Sequence, residues 1–166
     1  MAFTYLVTRD EILQRTVIGG NTDQDKIAPH IVTAQDIELQ TVLGTSLYNK
    51  VMTDFANNTI AEPYITLLDT YIKPMLCHYV AANFYVFHAF SVANGGIYRH
   101  QSENSFTPSL QEVELLSNEQ KAKAVHYRER LIDYICWNTS LFPEYLTNQN
   151  DGMSPRRNTP PNQIYF

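Results

Sequence analysis

Nineteen consecutive residues without a formal charge, "MLCHYVAANFYVFHAFSVA" from Met75 to Ala93, constrain this chain more than any other feature. A segment so long and apolar either crosses a membrane or lies at the centre of a helical bundle, covered by partners on every side. Its His78, Asn83 and His88, and the Tyr and Phe spread among Ala, favour the bundle. Polar groups there can be met by neighbouring helices, while bulky rings fill the space between them. The rest of the chain must then supply amphipathic helices to surround it.

Those helices are marked by their stops. Thr8 to Glu11, "TRDE", is a capping box that opens a short helix through about Val17, ended by Gly19-Gly20-Asn21. A second helix starts near Asp25, with Pro29 expected in or next to its first turn, where backbone N–H groups lack partners anyway. Ile27, Ala28, Ile31, Val32, Leu39, Val42 and Leu43 gather on one face, with His30, Thr33, Asp36 and Gln40 opposite. Gln35 and Glu38 fall one turn apart on the apolar side, where polar groups need partners. They either hold a neighbouring loop or helix end, or await a second subunit. Gly44 ends this helix, and Thr45 or Ser46 caps the next, which carries Leu47, Tyr48, Val51 and Met52 and stops before Asn57-Asn58.

Pro63 opens the longest expected helix, which runs to about Ala93, is kinked at Pro74 and is stopped by Asn94-Gly95-Gly96. A long polar connection follows, its middle from Ser102 to Pro108 reading as an exposed loop. "SNEQ", Ser117 to Gln120, is a second capping box, and the last long helix runs to about Trp137. Ala122, Val125, Ile132, Ile135 and Cys136 form its expected apolar stripe. The pattern predicts an all-α bundle of about four to five helices.

After Pro143 the character changes. "NQNDGMSPRRNTPPNQIYF" has three prolines, no helical period and an aromatic end. Residues 1–147 therefore form the expected helical domain and residues 148–166 an extended C-terminal arm. Proline-rich arms lose less entropy on docking, and Ile164, Tyr165 and Phe166 give this one something to bury. We read it as lying on another subunit or partner, in preference to a frayed end or a tail folded onto its own domain.

A net charge of −5 gives no general reason to bind nucleic acid or an anionic membrane. Only 17% of residues are charged, against roughly 25% in an average soluble domain. With 11 Tyr residues, that suits a surface which meets other protein. Cys77 and Cys136 read as reduced buried thiols of a cytosolic product, and no secretory signal is expected.

Catalytic motifs are missing from the sequence. His126 and Glu129 are three apart, yet the paired Glu motifs of metal-carboxylate bundles are not visible. His78 and His88 are too far apart along one helix to share a metal, and no phosphate-binding glycine loop or nucleophile motif is seen. The expectation is a non-enzyme without cofactor or metal. The competing reading is a small helical enzyme or metal-binding protein using His78, His88 or His126, and a third is a monomeric adaptor module of a host cell.

The string from Ile27 through Ala34-Gln35, Ile37, Leu43-Gly44 and Leu47-Tyr48 to Val51 resembles head-to-tail connector proteins of tailed bacteriophages. The Tyr/Phe-rich helix ending in "NGG", the "HQSENSFTPS" loop and "KAKAVHYRERLIDYI" continue that resemblance over roughly residues 8 to 140, closest to adaptors of crAss-like phages. The resemblance implies a virion protein at the head-to-tail junction, assembled in the host cytoplasm. It implies a homo-oligomeric ring, usually dodecameric, between the portal protein and a tail or stopper protein. That ring would line the channel through which DNA passes as non-specific cargo, with no membrane involved. The expected subunit and partner contacts are Gln35, Glu38, Tyr48, Ser105, Phe106, Arg156, Arg157, Pro160, Pro161, Ile164, Tyr165 and Phe166.

Overall fold

Thr8 starts the first helix, α1 (Arg9–Arg15), by the reciprocal capping its sequence predicts. Its side chain accepts from the Glu11 amide, while the Glu11 carboxylate accepts the Thr8 N–H at 2.7 Å. Lys73 reaches the same carboxylate at 2.8 Å, tying α1 to the centre of the molecule. Burial opposes the Glu11 charge, but the bonds from Lys73 and Thr8 outweigh it and hold the carboxyl below its usual range.

The computed structural model describes residues 3–93, 96–99, 108–147 and 152–155. Within them the chain is an all-α bundle, as expected, with one small β-hairpin added.

The helix α2 (Gln24–Thr33) continues through a π-helical segment (Ala34–Leu39) into α3 (Gln40–Ala56). Pro29 lies inside α2 and not in its first turn, because the helix begins at Gln24. The ring therefore leaves the Asp25 carbonyl without its helical donor. In the π segment the Gln40 N–H reaches the Gln35 carbonyl, five residues back. That extra residue per turn rotates the buried face, so Ala34, Gln35 and Leu39 point inward while Ile37 is exposed. Gly44 breaks the helix where the sequence places a stop, with φ 73° and ψ 163°.

The next composite helix comprises α4 (Tyr64–Thr66), a second π segment (Leu67–Ile72) and α5 (Lys73–His88). Pro74 has no N–H to offer the preceding turn, and the segment directly before it is π-helical, an irregularity placed where the regular hydrogen-bond ladder cannot continue. Every residue from Pro74 to Ala82 is buried, as is Phe84, which places the first half of the uncharged stretch at the core, while Phe87 and His88 beyond it are exposed. No helix among the described residues is long and apolar enough to cross a membrane.

α5 does not run to Ala93. It stops at His88, and β1 (Phe90–Ala93) pairs antiparallel with β2 (Gly96–Arg99), Ala93 opposite Gly96. The stop expected at "NGG" thus comes after the helix has already ended at His88, and its Asn94 and Gly95 lie outside the described residues.

The longest uninterrupted helix is α6 (Leu110–Trp137), started by a capping box of Ser109 and Glu112 that lies concealed in the polar connection. "SNEQ" is therefore not a helix start: Ser117 and Gln120 are buried within α6 and face α5. The buried stripe is Val113, Ser117, Gln120, Ala124, Leu131, Ile132 and Ile135, whereas Ala122 and Val125 face outward. Its two polar members disguise it from any search for apolar periodicity. Cys77 and Cys136 are both free thiols, and burial pushes Cys77 up to about 12.

A 3₁₀ turn (Thr139–Leu141) and the short α7 (Pro143–Leu146) follow α6. Phe142 and Tyr145 are both 0% exposed and anchor this end. The Tyr64 hydroxyl donates to Glu144 at 2.7 Å, joining α4 to α7.

Candidate functional site

Three of the expected contact residues are engaged within the chain. Gln35, 2% exposed, accepts the Leu6 N–H at 2.8 Å and donates to the Thr4 carbonyl at 3.0 Å. Its amide thus holds the N-terminal segment from both sides and needs no second subunit. Glu38 accepts from the Tyr79 hydroxyl, which also meets Arg128; burial above all, then the Glu38 charge, raises the Tyr79 pKa. The Tyr48 hydroxyl donates to Asp36 at 2.9 Å. These residues lock the π segment to α3 and α5, so the structure gives them intramolecular work. Ser105, Phe106, Arg156, Arg157, Pro160, Pro161, Ile164, Tyr165 and Phe166 lie outside the described residues.

The Gln35 arrangement has a measurable consequence. Gln35→Leu leaves the Leu6 N–H and the Thr4 carbonyl without partners, and stability is expected to fall by about 1–3 kcal/mol. Hydrogen exchange at Leu6 should accelerate more than exchange in α6. Equal protection at Leu6 in both proteins would refute this assignment.

The described histidines fall into two groups. His78 Nδ1 is 2.8 Å from Gln120 Oε1, an acceptor, so Nδ1 carries the proton. The ring stacks on Tyr127 at 5.5 Å, and Ser117 Oγ donates to the Ala82 carbonyl at 2.9 Å further along the same seam. Burial chiefly lowers the His78 pKa; Gln120 opposes that, and Lys123 and Arg15 reinforce it. His126 packs edge-on against Tyr127 at 5.7 Å. A groove of about 430 Å³ joins His78 and His126 with Glu119, Ala122, Lys123 and Tyr127. His88 lies elsewhere, stacked on Phe84 at 4.7 Å, and His30 meets Phe84 and Phe87. Among the described residues no three His, Cys, Asp or Glu side chains are grouped to hold a metal ion.

A second groove, about 420 Å³, is lined by Tyr5, Val7, Thr8, Arg9 and Asp10 with Gln24, Ala28 and Ile31 of α2. Its Arg9 guanidinium is already committed to the Thr22 carbonyl at 2.8 Å, the Gly20 carbonyl and Asp10.

The start of the arm is fixed to the break in α3. Thr45 donates its N–H to the Met153 carbonyl at 2.9 Å, and Met153 returns its N–H to Thr45 Oγ1 at 2.7 Å. Gly44 makes room: a Cβ there would stand 2.7 Å from Pro155 Cδ and 2.8 Å from its nitrogen. Residues 152–155 thus belong physically to the helical body, later in the chain than the boundary at 147 expected from composition.

Large apolar side chains stand on the exterior. Trp137 is 88% exposed, and Leu141 and Leu146 are 45% and 49% exposed beside the buried Phe142 and Tyr145. Phe87, Leu115 and Leu116 are also exposed. By sequence Trp137 reads only as a helix end. A signal is nevertheless present: it is the one Trp of the chain, and it precedes a helix stop instead of sitting within an apolar stripe.

A protein-family model described as "Family of unknown function (DUF6712)" matches residues 39–153. No curated protein and no solved structure matches the chain. The matched span begins just before the Gly44 break and ends at Met153, so it contains both sides of the arm attachment.

Proposed function

The chain belongs to the DUF6712 family, and we propose that it is a structural virion subunit, a head-to-tail connector that assembles as a ring between a portal protein and a tail or stopper protein. The observation that carries this reading is the exterior of a completed bundle: Trp137, Leu141 and Leu146 on one rigid turn, with Phe87 and Leu115 elsewhere, left exposed once the core is filled. Large apolar groups gathered on one part of a protein surface mark sites of association. The resemblance of residues 8 to 140 to phage connectors supplies the ring, the portal and the DNA channel. A lightly charged body of net negative charge suits a channel past which DNA must slide without being held.

The test compares the full chain with one ending at Pro155, each alone and mixed with the portal protein, by sedimentation and electron microscopy. The cut follows Pro155 so that the Thr45–Met153 attachment is retained. Rings are expected from the full chain, and a helical but poorly assembling subunit from the shorter one. A full chain that stays monomeric with the portal present refutes the connector reading. The His78–His126 groove favours one rival, a metal-binding or catalytic protein, and stoichiometric metal in the purified chain would establish it.

A further inference from the structure

We infer that the turn carrying Trp137 is a docking platform for the proline-rich segment 156–166 of a neighbouring copy. The inference deepens the ring reading and rests on it.

The platform is two-sided. From the end of α6 through α7, Phe142 and Tyr145 are wholly buried, while Trp137, Leu141 and Leu146 face solvent. The inner aromatics hold the outer residues in place, so docking there costs little ordering entropy. Trp is among the residues most concentrated in binding hot spots, and aromatic surfaces are the usual seats of proline-rich segments.

The segment that follows Pro155 has complementary chemistry. "RRNTPPNQIYF" contains Pro160 and Pro161, whose φ is fixed by the ring, and three large apolar residues. It also separates charge. All seventeen acidic residues and ten of the twelve basic ones precede Arg156, so the body carries −7 and this segment +2. Asp133, one turn before Trp137, and Glu144 in α7 place acidic groups at the platform.

The attachment point leaves a neighbour within reach. Thr45 and Gly44 hold residues 153–155 at the break in α3, so the segment leaves from a fixed point. Eleven extended residues span at most about 36 Å from there. The segment and the platform are different surfaces of the same chain, which makes their contact head-to-tail. Contacts of that kind generate closed rings when the rotation between subunits closes.

Trp137 is the only Trp in the chain, so its fluorescence reports the platform directly. In the full chain its emission is expected to shift to shorter wavelength as protein concentration rises, in step with assembly seen by sedimentation. The chain ending at Pro155 should keep red-shifted emission at every concentration, and a synthetic peptide of residues 154–166 should restore the blue shift. The same peptide with Pro160→Ala, Pro161→Ala, Arg156→Glu and Arg157→Glu should fail to do so. Assembly without any change in Trp137 emission overturns this inference and leaves the ring reading standing. A blue shift independent of concentration in a monomer means the segment docks on its own body, and overturns it too. A blue shift of the shortened chain without peptide shows that another surface covers Trp137, and likewise overturns it. If the full chain stays monomeric even with portal protein, the ring reading and this inference fall together, whatever the peptide does to Trp137 of the shortened chain.

Discussion

Gly44→Ala is expected to lower the unfolding free energy by about 2–5 kcal/mol and to release the arm from the break in α3. Two independent costs combine. The backbone at Gly44, φ 73° and ψ 163°, lies in a region that only glycine occupies readily. The added methyl would also meet Pro155 Cδ at 2.7 Å, the Pro155 nitrogen at 2.8 Å and the Met153 carbonyl at 3.1 Å. Two of those three are backbone atoms, so rotation of a side chain cannot relieve the contact. Either α3 reforms around a different break, or residues 152–155 leave, breaking both bonds between Thr45 and Met153. Urea unfolding gives the stability change, and hydrogen exchange at the Thr45 and Met153 amides shows which part yields. Gly19→Ala is the control, since a Cβ at Gly19 meets nothing within 4 Å. If the two variants unfold at the same urea concentration, the argument from Gly44 fails.

The all-α class is legible in the sequence because its strongest signals are local. The Thr8–Glu11 box, the Gly44 break and the buried run of α5 each depend on a few neighbouring residues, and each is found where the pattern puts it. The pattern misleads where tertiary partners decide. Ser117 and Gln120 have the sequence of a helix start, yet the Ala82 carbonyl and His78 claim their side chains inside α6. The π segments also escape a reading based on 3.6 residues per turn: one extra residue moves Gln35 fully inside and Ile37 out. Gln35 and Glu38 stand out in the sequence as polar groups needing partners. Those partners are Thr4, Leu6 and Tyr79, at separations along the chain that no spacing rule could supply. The candidate platform is hidden for the opposite reason. Exposed Trp137 is conspicuous only once the bundle shows that nothing among the described residues covers it.

Phe142→Ala should be the most damaging side-chain truncation at this end of the molecule, costing about 3–5 kcal/mol. The ring is completely buried and meets Tyr64 edge-on at 5.5 Å and Tyr134 at 5.9 Å. Tyr134 in turn stacks on Tyr71 at 4.2 Å, so one side chain links α4, α6 and the second π segment. Its loss leaves a cavity that these aromatics, each held by another contact, can close only in part. Leu141→Ala, one residue away but on the solvent side, should change stability by under about 1 kcal/mol. The pair therefore separates folding from assembly. Leu141→Ala should weaken binding of the 154–166 peptide while leaving urea unfolding nearly unchanged, whereas Phe142→Ala should lower both. Equal losses of stability would show that the turn is not two-sided, and the platform would lose its rigid support. A stable Leu141→Ala protein that binds peptide as well as the parent would remove Leu141 from the contact and confine the surface to Trp137 and Leu146.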